Sequence, residues 1–272
     1  MSGFPVRVEA DVSSGLWAFL IGGRADSACA QAPDRVRAAC ANSGHPLPHQ
    51  RITVNLSPAS WPKVGSGFDL AIAVAVLAAA HELPQGAVEK VVHVGELGLD
   101  GAVRPVRGVL PLVQAAATDG ARHVVVPVAN AREARLVTGV QVHPVAQLAE
   151  LVDRYRLLAE GCTPPPVEEP SETPAVVRHP DLDLADVLGQ GEARLALEIA
   201  AAGAHHLYLA GPPGAGKSML AERLPGLLPQ LDDAQALEVT AIASVLGTRT
   251  QFETLDRRPP FVAPHHGASM PA

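Results

Sequence analysis

Aromatic residues are scarce in this 272-residue chain, making up only 3% of it. Stacking on unpaired bases needs several exposed rings, so the shortage argues against a platform for single-stranded nucleic acid. A basic excess is missing as well: 21 Lys and Arg stand against 28 Asp and Glu, a net charge of −7. No basic stripe of the kind that tracks a phosphate backbone is visible, although DNA held by a few loops in the pore of an oligomer is compatible with that balance. Cysteine occurs three times, as Cys29, Cys40 and Cys162. With no Cys-x-x-Cys pair and no even framework, all three are expected to be small buried hydrophobes in a reducing cytoplasm. Long apolar runs are absent too. The longest, Leu70 to Ala80, falls far short of the roughly 20 residues that span a bilayer and reads as a buried core helix. The first residues lack the basic-then-apolar pattern of a signal peptide, so a cytoplasmic protein with no membrane partner is expected.

What is present suits a folded, soluble chain. Hydrophobic residues make up 47% and charged residues 18%, and with so few aromatics the core must be built from Ala, Val and Leu. The clearest break in composition is Thr163 to Pro180, TPPPVEEPSETPAVVRHP. Proline fixes φ and removes backbone donors, so this stretch neither continues a helix nor joins a sheet interior. With Glu168 and Glu169 it reads as an extended, solvated linker. The expected division is a first domain over 1–160, a linker over 161–180 and a second module over 181–272.

The first module reads as mixed α/β. Val6 to Ala10 and Arg51 to Leu56 alternate with period two, Ile52, Val54 and Leu56 sharing one face. Asp34 to Ala41 reads as part of a helix stopped by Asn42-Ser43-Gly44, and Phe68 to His81 as a second helix. Val91 to Leu97 and Ala102 to Val106 flank Leu99-Asp100-Gly101, a strong hairpin signal because Asp and Gly tolerate positive φ. A helix near Leu110 to Thr118, a strand at His123 to Val128 and a helix from Val145 to Ala159 complete the module.

The second module opens near Asp181. Glu192 to Ala202 is an Ala-rich helix with Gly203 as its stop, and His206 to Ala210 reads as a short buried parallel strand. Directly after it, Gly211-Pro212-Pro213-Gly214-Ala215-Gly216-Lys217-Ser218 satisfies GxxxxGK[ST] in full. The glycines let the backbone curl so that successive N–H groups face an anion. Lys217 is expected to reach the β- and γ-phosphates, and the Ser218 hydroxyl to bind Mg²⁺. The helix starting near Lys217 adds its positive end. A Gly-Pro turn that happens to contain Lys-Ser is the bland alternative. The preceding strand and the following apolar helix (Met219, Leu220, Ala221, Leu224) favour ATP binding by Gly211 to Met219. Phosphoryl transfer also needs an acid on the metal and a group that orients water. After Ser218 no apolar run ends in Asp-Glu, and Asp232-Asp233 reads as a helix cap. The sequence supports nucleotide binding and does not support hydrolysis by these residues alone.

Taken together the strings resemble those of magnesium-chelatase-type AAA+ ATPases of the competence-protein ComM (YifB-like) family. They are Asp186 to Gln190, Ala196 to Gly203, the P-loop, Arg223 to Pro229, and Phe261 to His266. Arg35 to Ala39, Asn42-Ser43-Gly44, Arg51 to Leu56 and Gly95-Glu96-Leu97 are similar to that family's Lon-protease-like, ribosomal-S5-like domain. The resemblance implies an N-terminal Lon-like α/β domain followed by an AAA+ module, and a hexamer that uses ATP and Mg²⁺ to remodel DNA in recombination and natural transformation. It also implies that Val187, Leu188, Gly189 and Gln190 line the adenine pocket. The family continues past the Pro-His-His string to an Asp-Glu strand, sensors and an arginine finger, whereas this sequence ends at Ala272; an incomplete module is therefore expected.

Sharper readings are weaker. Pro62-Lys63-Val64-Gly65-Ser66-Gly67 is similar to the Lon nucleophile string, but the nucleophile position aligns with Gly67 or Asp69, and the activating lysine aligns with Leu110. A serine without its base is a poor nucleophile, so the domain reads as a scaffold. The pairs His205-His206 and His265-His266 have no Cys or acidic partner at zinc spacing, and neighbours on a strand face opposite ways. Arg24, Arg35, Arg37 and Arg51 read as scattered surface arginines. A magnesium-chelatase subunit proper begins nearer its ATPase module, and a non-catalytic nucleotide-binding or interaction protein is the other-class alternative.

Overall fold

The computed structural model describes residues 3–165, 182–247, 254–264 and 267. Most of the expected linker, with Glu168 and Glu169, and the pair His265-His266 lie outside them. The chain forms two units, Met1–Pro174 with Ala241–Thr254, and Ala175–Thr240 with Leu255–Ala272.

The first unit is mixed α/β. Strands β1 (Arg7–Ser13) and β2 (Ala18–Gly22) flank β3 (Arg51–Ser57), β1 antiparallel and β2 parallel to it. On β3, Ile52, Val54 and Leu56 are at most 1% exposed, as alternate positions on one face should be. They pack into a core with α1 (Ser27–Ala30), α2 (Ala32–Asn42) and α3 (Asp69–Ala79). Helix α3 is apolar on nearly every side because it is enclosed on nearly every side. Among the described residues no helix is long and apolar enough to cross a membrane. After α4 (Gln85–Val88) come β4 (Val91–His93), a hairpin of β5 (Glu96–Leu97) and β6 (Val103–Arg104), α5 (Val109–Thr118), β7 (His123–Pro127), α6 (Ala131–Ala134), β8 (Gln141–Val145) and α7 (Leu148–Ala159). Strands β4, β7 and β8 form a parallel sheet in that order.

Several sequence expectations need correction. The single strand expected over Val91 to Leu97 breaks at Gly95, whose N–H bonds to Gly67 and whose carbonyl takes the Leu70 N–H. A Cβ there would come within 2.8 Å of Val103 Cγ1 in the hairpin and 3.3 Å of Leu70 Cδ2 on α3, so glycine suits the close approach of both. The helix expected from Val145 starts at Leu148, and Gln141–Val145 is a strand. Cys29 and Cys40 are buried, but Cys162 is exposed. Arg35 is no surface arginine: its guanidinium grips the fully buried Asp69 carboxylate at 2.6 and 2.9 Å. Arg37 lies 5.1 Å over the Trp17 ring, a cation–π contact.

On β4, the His93 Nε2 meets the Tyr155 hydroxyl of α7. Burial lowers this imidazole from 6.5 to about 4, against a smaller opposing effect of the Val91 backbone. The folded state therefore leaves His93 neutral where the unfolded chain protonates it. That stability is whole above pH 6.5 and is lost as pH falls towards 4, by as much as about 3 kcal/mol. Urea denaturation at pH 7.5 and pH 4.5 should show a steeper loss for the wild type than for His93→Gln. Parallel pH curves would remove His93 from the account.

The second unit holds a 3-10 turn at Leu184–Asp186, α8 (Gly191–Gly203), α9 (Lys217–Ala221), α10 (Leu224–Leu227) and the first part of α11 (Asp233–Leu246), whose residues from Ala241 group with the first unit. Leu184, Val187, Leu197 and Leu220 make its small core. As the sequence suggested, Asp232 caps α11, exchanging hydrogen bonds with Gln235. Helix α8 runs through Gly203 and stops at Ala204, in the left-handed region at φ 52°. His206 to Ala210 is not a strand: Tyr208 is 90% exposed, and among the described residues no strand pairs with this run. A ladder needs two members, and apolar composition alone does not make one.

Candidate nucleotide-binding site

Residues 211–218 form a loop between the run ending at Ala210 and helix α9. The Ala215 N–H donates to the Pro212 carbonyl at 3.3 Å, closing a tight turn. Gly214 and Gly216 follow with φ of 80° and 83°, a region that side-chain-bearing residues occupy only under strain. Gly216 is also the N-cap of α9, its carbonyl accepting the Leu220 N–H at 3.0 Å. Leu220 is buried against Leu184, Val187 and Leu197, so the helix that carries the loop is nailed to the unit's core. Pro225 cannot donate to the Ala221 carbonyl, which explains why α9 ends there and α10 starts afresh.

Lys217 folds back over the loop, its Nζ donating to the carbonyls of Gly211 and Pro212 at 2.8 Å each. Among the described residues no carboxylate pairs with it. Its ammonium is thus held at the loop by neutral, exposed carbonyls that water can replace. The next residue, Ser218, is exposed at the start of α9. Curled backbone, the Lys217 ammonium and the hydroxyl of the adjacent, exposed Ser218 form a donor set that fits a phosphate chain with its magnesium.

The residues expected on the adenine side are divided. Val187 is 1% exposed and packs in the core, while Leu188 is 93% exposed. Gly189 turns the chain at φ 75°, and Gln190, at φ 51°, sends its Nε2 to the Ala215 carbonyl at 3.4 Å. The sequence reading did not anticipate Arg223, which donates to the Asp183 carbonyl at 2.9 Å and to the Met219 carbonyl at 2.8 Å.

The serine string of the first unit has no such fitness for chemistry. Ser66 donates its hydroxyl to Glu96, and Lys63 is buried with its Nζ on the Pro58 carbonyl. Of the two positions aligned with a nucleophile, Gly67 has no side chain and Asp69 is bound by Arg35. Leu110, where an activating lysine would stand, is wholly buried. Among the described residues no group of three or more His, Cys, Asp or Glu is placed to hold a metal ion.

Residues 8–130 match the family described as subunit ChlI of Mg-chelatase, and residues 183–272 match that described as magnesium chelatase, subunit ChlI. An uncharacterized protein of Mycobacterium tuberculosis is 50% identical over 272 residues, covering all of this chain and 53% of that protein. YifB of Escherichia coli is 40% identical over 272 residues, 98% of this chain and 51% of its own length. Competence protein ComM of Haemophilus influenzae is 40% identical over 268 residues, 98% of this chain and 52% of its own. The chain spans about half the length of these relatives. Two magnesium-chelatase matches, one in each half of the chain, and 40% identity along nearly its whole length lead to one conclusion: this chain belongs to the ComM/YifB-like, magnesium-chelatase-type family.

Proposed function

We propose that the chain binds Mg-ATP through Gly211 to Ser218, as the nucleotide-binding portion of a ComM-like ATPase that remodels DNA in recombination and natural transformation. The observation that carries the reading is the loop itself, with Gly214 and Gly216 in the left-handed region and Lys217 Nζ on two loop carbonyls. Bound there, the β-phosphate would lie against the loop N–H groups, Lys217 would supply charge, and Ser218 would hold the magnesium. The nucleotide supplies the free energy that an ATPase of this kind couples to movement. Within these 272 residues no apolar run after Ser218 ends in a carboxylate pair, so turnover needs groups this sequence does not supply.

The first unit serves in this reading as a Lon-protease-like scaffold without proteolytic activity, supported by Ser66 and Asp69 being committed to Glu96 and Arg35. The family resemblance implies that DNA is engaged in a homo-oligomer, a hexamer, and the surplus of acidic residues argues against a basic face of one subunit as its contact. A cytoplasmic location follows from a DNA substrate. Titration with a fluorescent ADP analogue and a phosphate-release assay, with and without branched DNA, test the reading. Saturable, magnesium-dependent binding with no release above background is expected. An absence of binding would sink it.

A further inference from the structure

We propose that Gln190 is a positioning residue for the phosphate loop, setting affinity for the β-phosphate of a nucleoside di- or triphosphate. The inference rests on the nucleotide-binding reading above, and it moves Gln190 from the adenine side of the site to the phosphate side. Four observations meet at this residue. Its backbone lies at φ 51°, a conformation that costs energy for a residue with a side chain and that gathers at ligand clamps. Its carbonyl accepts the Arg194 N–H at 3.0 Å and so starts α8. Its Nε2 donates to the Ala215 carbonyl at 3.4 Å. The same nitrogen stands 3.0 Å from where a Cβ on Gly216 would be, with the Met219 methyl at 3.2 Å from that point. One residue therefore ties the start of α8 by its backbone and the tip of the loop by its side chain.

The consequence follows from peptide geometry. The Ala215 carbonyl and the Gly216 N–H belong to one planar trans peptide and point in opposite directions. Holding that carbonyl towards Gln190 aims the Gly216 N–H away from Gln190, the direction in which a phosphate must lie if the loop holds one. Without the carboxamide the peptide is free to rotate, and the donor has to be ordered again each time a nucleotide binds. At 3.4 Å the hydrogen bond is longer than the usual N–H···O distance, so its effect is modest. The positive φ at Gln190 and the glycine at 216 are the means by which it forms at all.

Gln190→Asn is the cleanest test, since asparagine tolerates the left-handed region better than glutamine and keeps the amide, but is one methylene too short. Gln190→Glu is the second variant, matching in shape but unable to donate when ionised. Affinities for ADP and AMP should be measured by competition against a fluorescent ADP analogue, together with amide exchange at Gly216. Both variants are expected to weaken ADP binding about two- to tenfold, leave AMP unchanged and speed exchange at Gly216. A residue that only starts α8 would weaken both nucleotides alike and speed exchange at 191–194 instead; that result overturns the inference. So does an unchanged ADP-to-AMP ratio in a chain whose wild type binds ADP. A wild type that binds neither nucleotide overturns the nucleotide reading and this inference with it.

Discussion

Lys217→Ala is expected to weaken ATP binding by about 100-fold, and ADP binding, which lacks the γ-phosphate, by about tenfold, while leaving the folded chain as stable as before. The two halves of that result have separate causes. Hydrogen bonds to charged groups contribute about 1.5–3 kcal/mol, and about 1.4 kcal/mol is a factor of ten in affinity. An ammonium that reaches two phosphates therefore carries about two powers of ten once it has left its present partners. Those partners are the carbonyls of Gly211 and Pro212, both on exposed residues. Water takes the place of the ammonium there, so the change in unfolding free energy should stay within about 0.5 kcal/mol. Lys217→Arg is not expected to restore binding, because a planar fork does not replace a compact charge under a curled backbone. Ser218→Ala should keep ADP binding but lose the gain in affinity that magnesium gives. Calorimetric titration with ATP and with ADP, with and without magnesium, beside urea denaturation reads all of this. Wild-type affinity in Lys217→Ala would remove the loop from the function, and loss of stability along with binding would make Lys217 a structural residue.

Part of this arrangement was legible in the residues and part was not, for reasons that can be named. The alternation Ile52, Val54, Leu56 shows itself because β3 is the middle strand of its sheet with one face buried and one open. Strand β2 escaped because Ala18-Phe19-Leu20-Ile21 is a short run without alternation, and only its parallel pairing with β3 defines it. Strand β8 escaped because Gln141, His143 and Pro144 break the pattern of a strand. It is the edge of its sheet, where a proline is tolerated. His206 to Ala210 failed in the opposite way, with the composition of a buried strand but no partner among the described residues. For the site, the glycines of the GxxxxGK[ST] string at residues 211–218 signal a curled backbone, and Gly214 and Gly216 are in the left-handed region. What the string could not give is the second layer. Gln190 donates to the loop carbonyl of Ala215 and Arg223 to the carbonyl of Asp183, contacts set by the packing of α8 and α9 on one small core and not by local spacing.

The same limit of local reading hid the residue whose removal should do most harm to the fold. Arg35→Ala is expected to destabilise the first unit by about 3–5 kcal/mol. Asp69 has no exposed side-chain surface, and Arg35 only 19%. The guanidinium binds both carboxylate oxygens and the Ala28 carbonyl, while the Leu97 N–H donates to the same carboxylate at 3.3 Å. The Arg35–Asp69 pair thus joins α1, α2, α3 and β5. Burial raises the Asp69 carboxyl above its ordinary value, and the guanidinium pulls it back. Once Arg35 is gone that opposition is gone, and the carboxyl prefers its proton. A folded-state value raised above the unfolded one gives stability that is present at low pH and is lost as pH rises through the folded value. The damage from Arg35→Ala should therefore be smaller at pH 5 than at pH 8. Pairing Arg35→Met with Asp69→Asn leaves no buried charge and keeps an acceptor for the Leu97 N–H, so the double variant should regain most of the loss. Urea denaturation of the three proteins at both pH values decides the matter. A cost below about 1 kcal/mol for Arg35→Ala would put the pair among ordinary surface salt bridges. A double variant no better than the single would mean that the arginine acts through packing and not through charge.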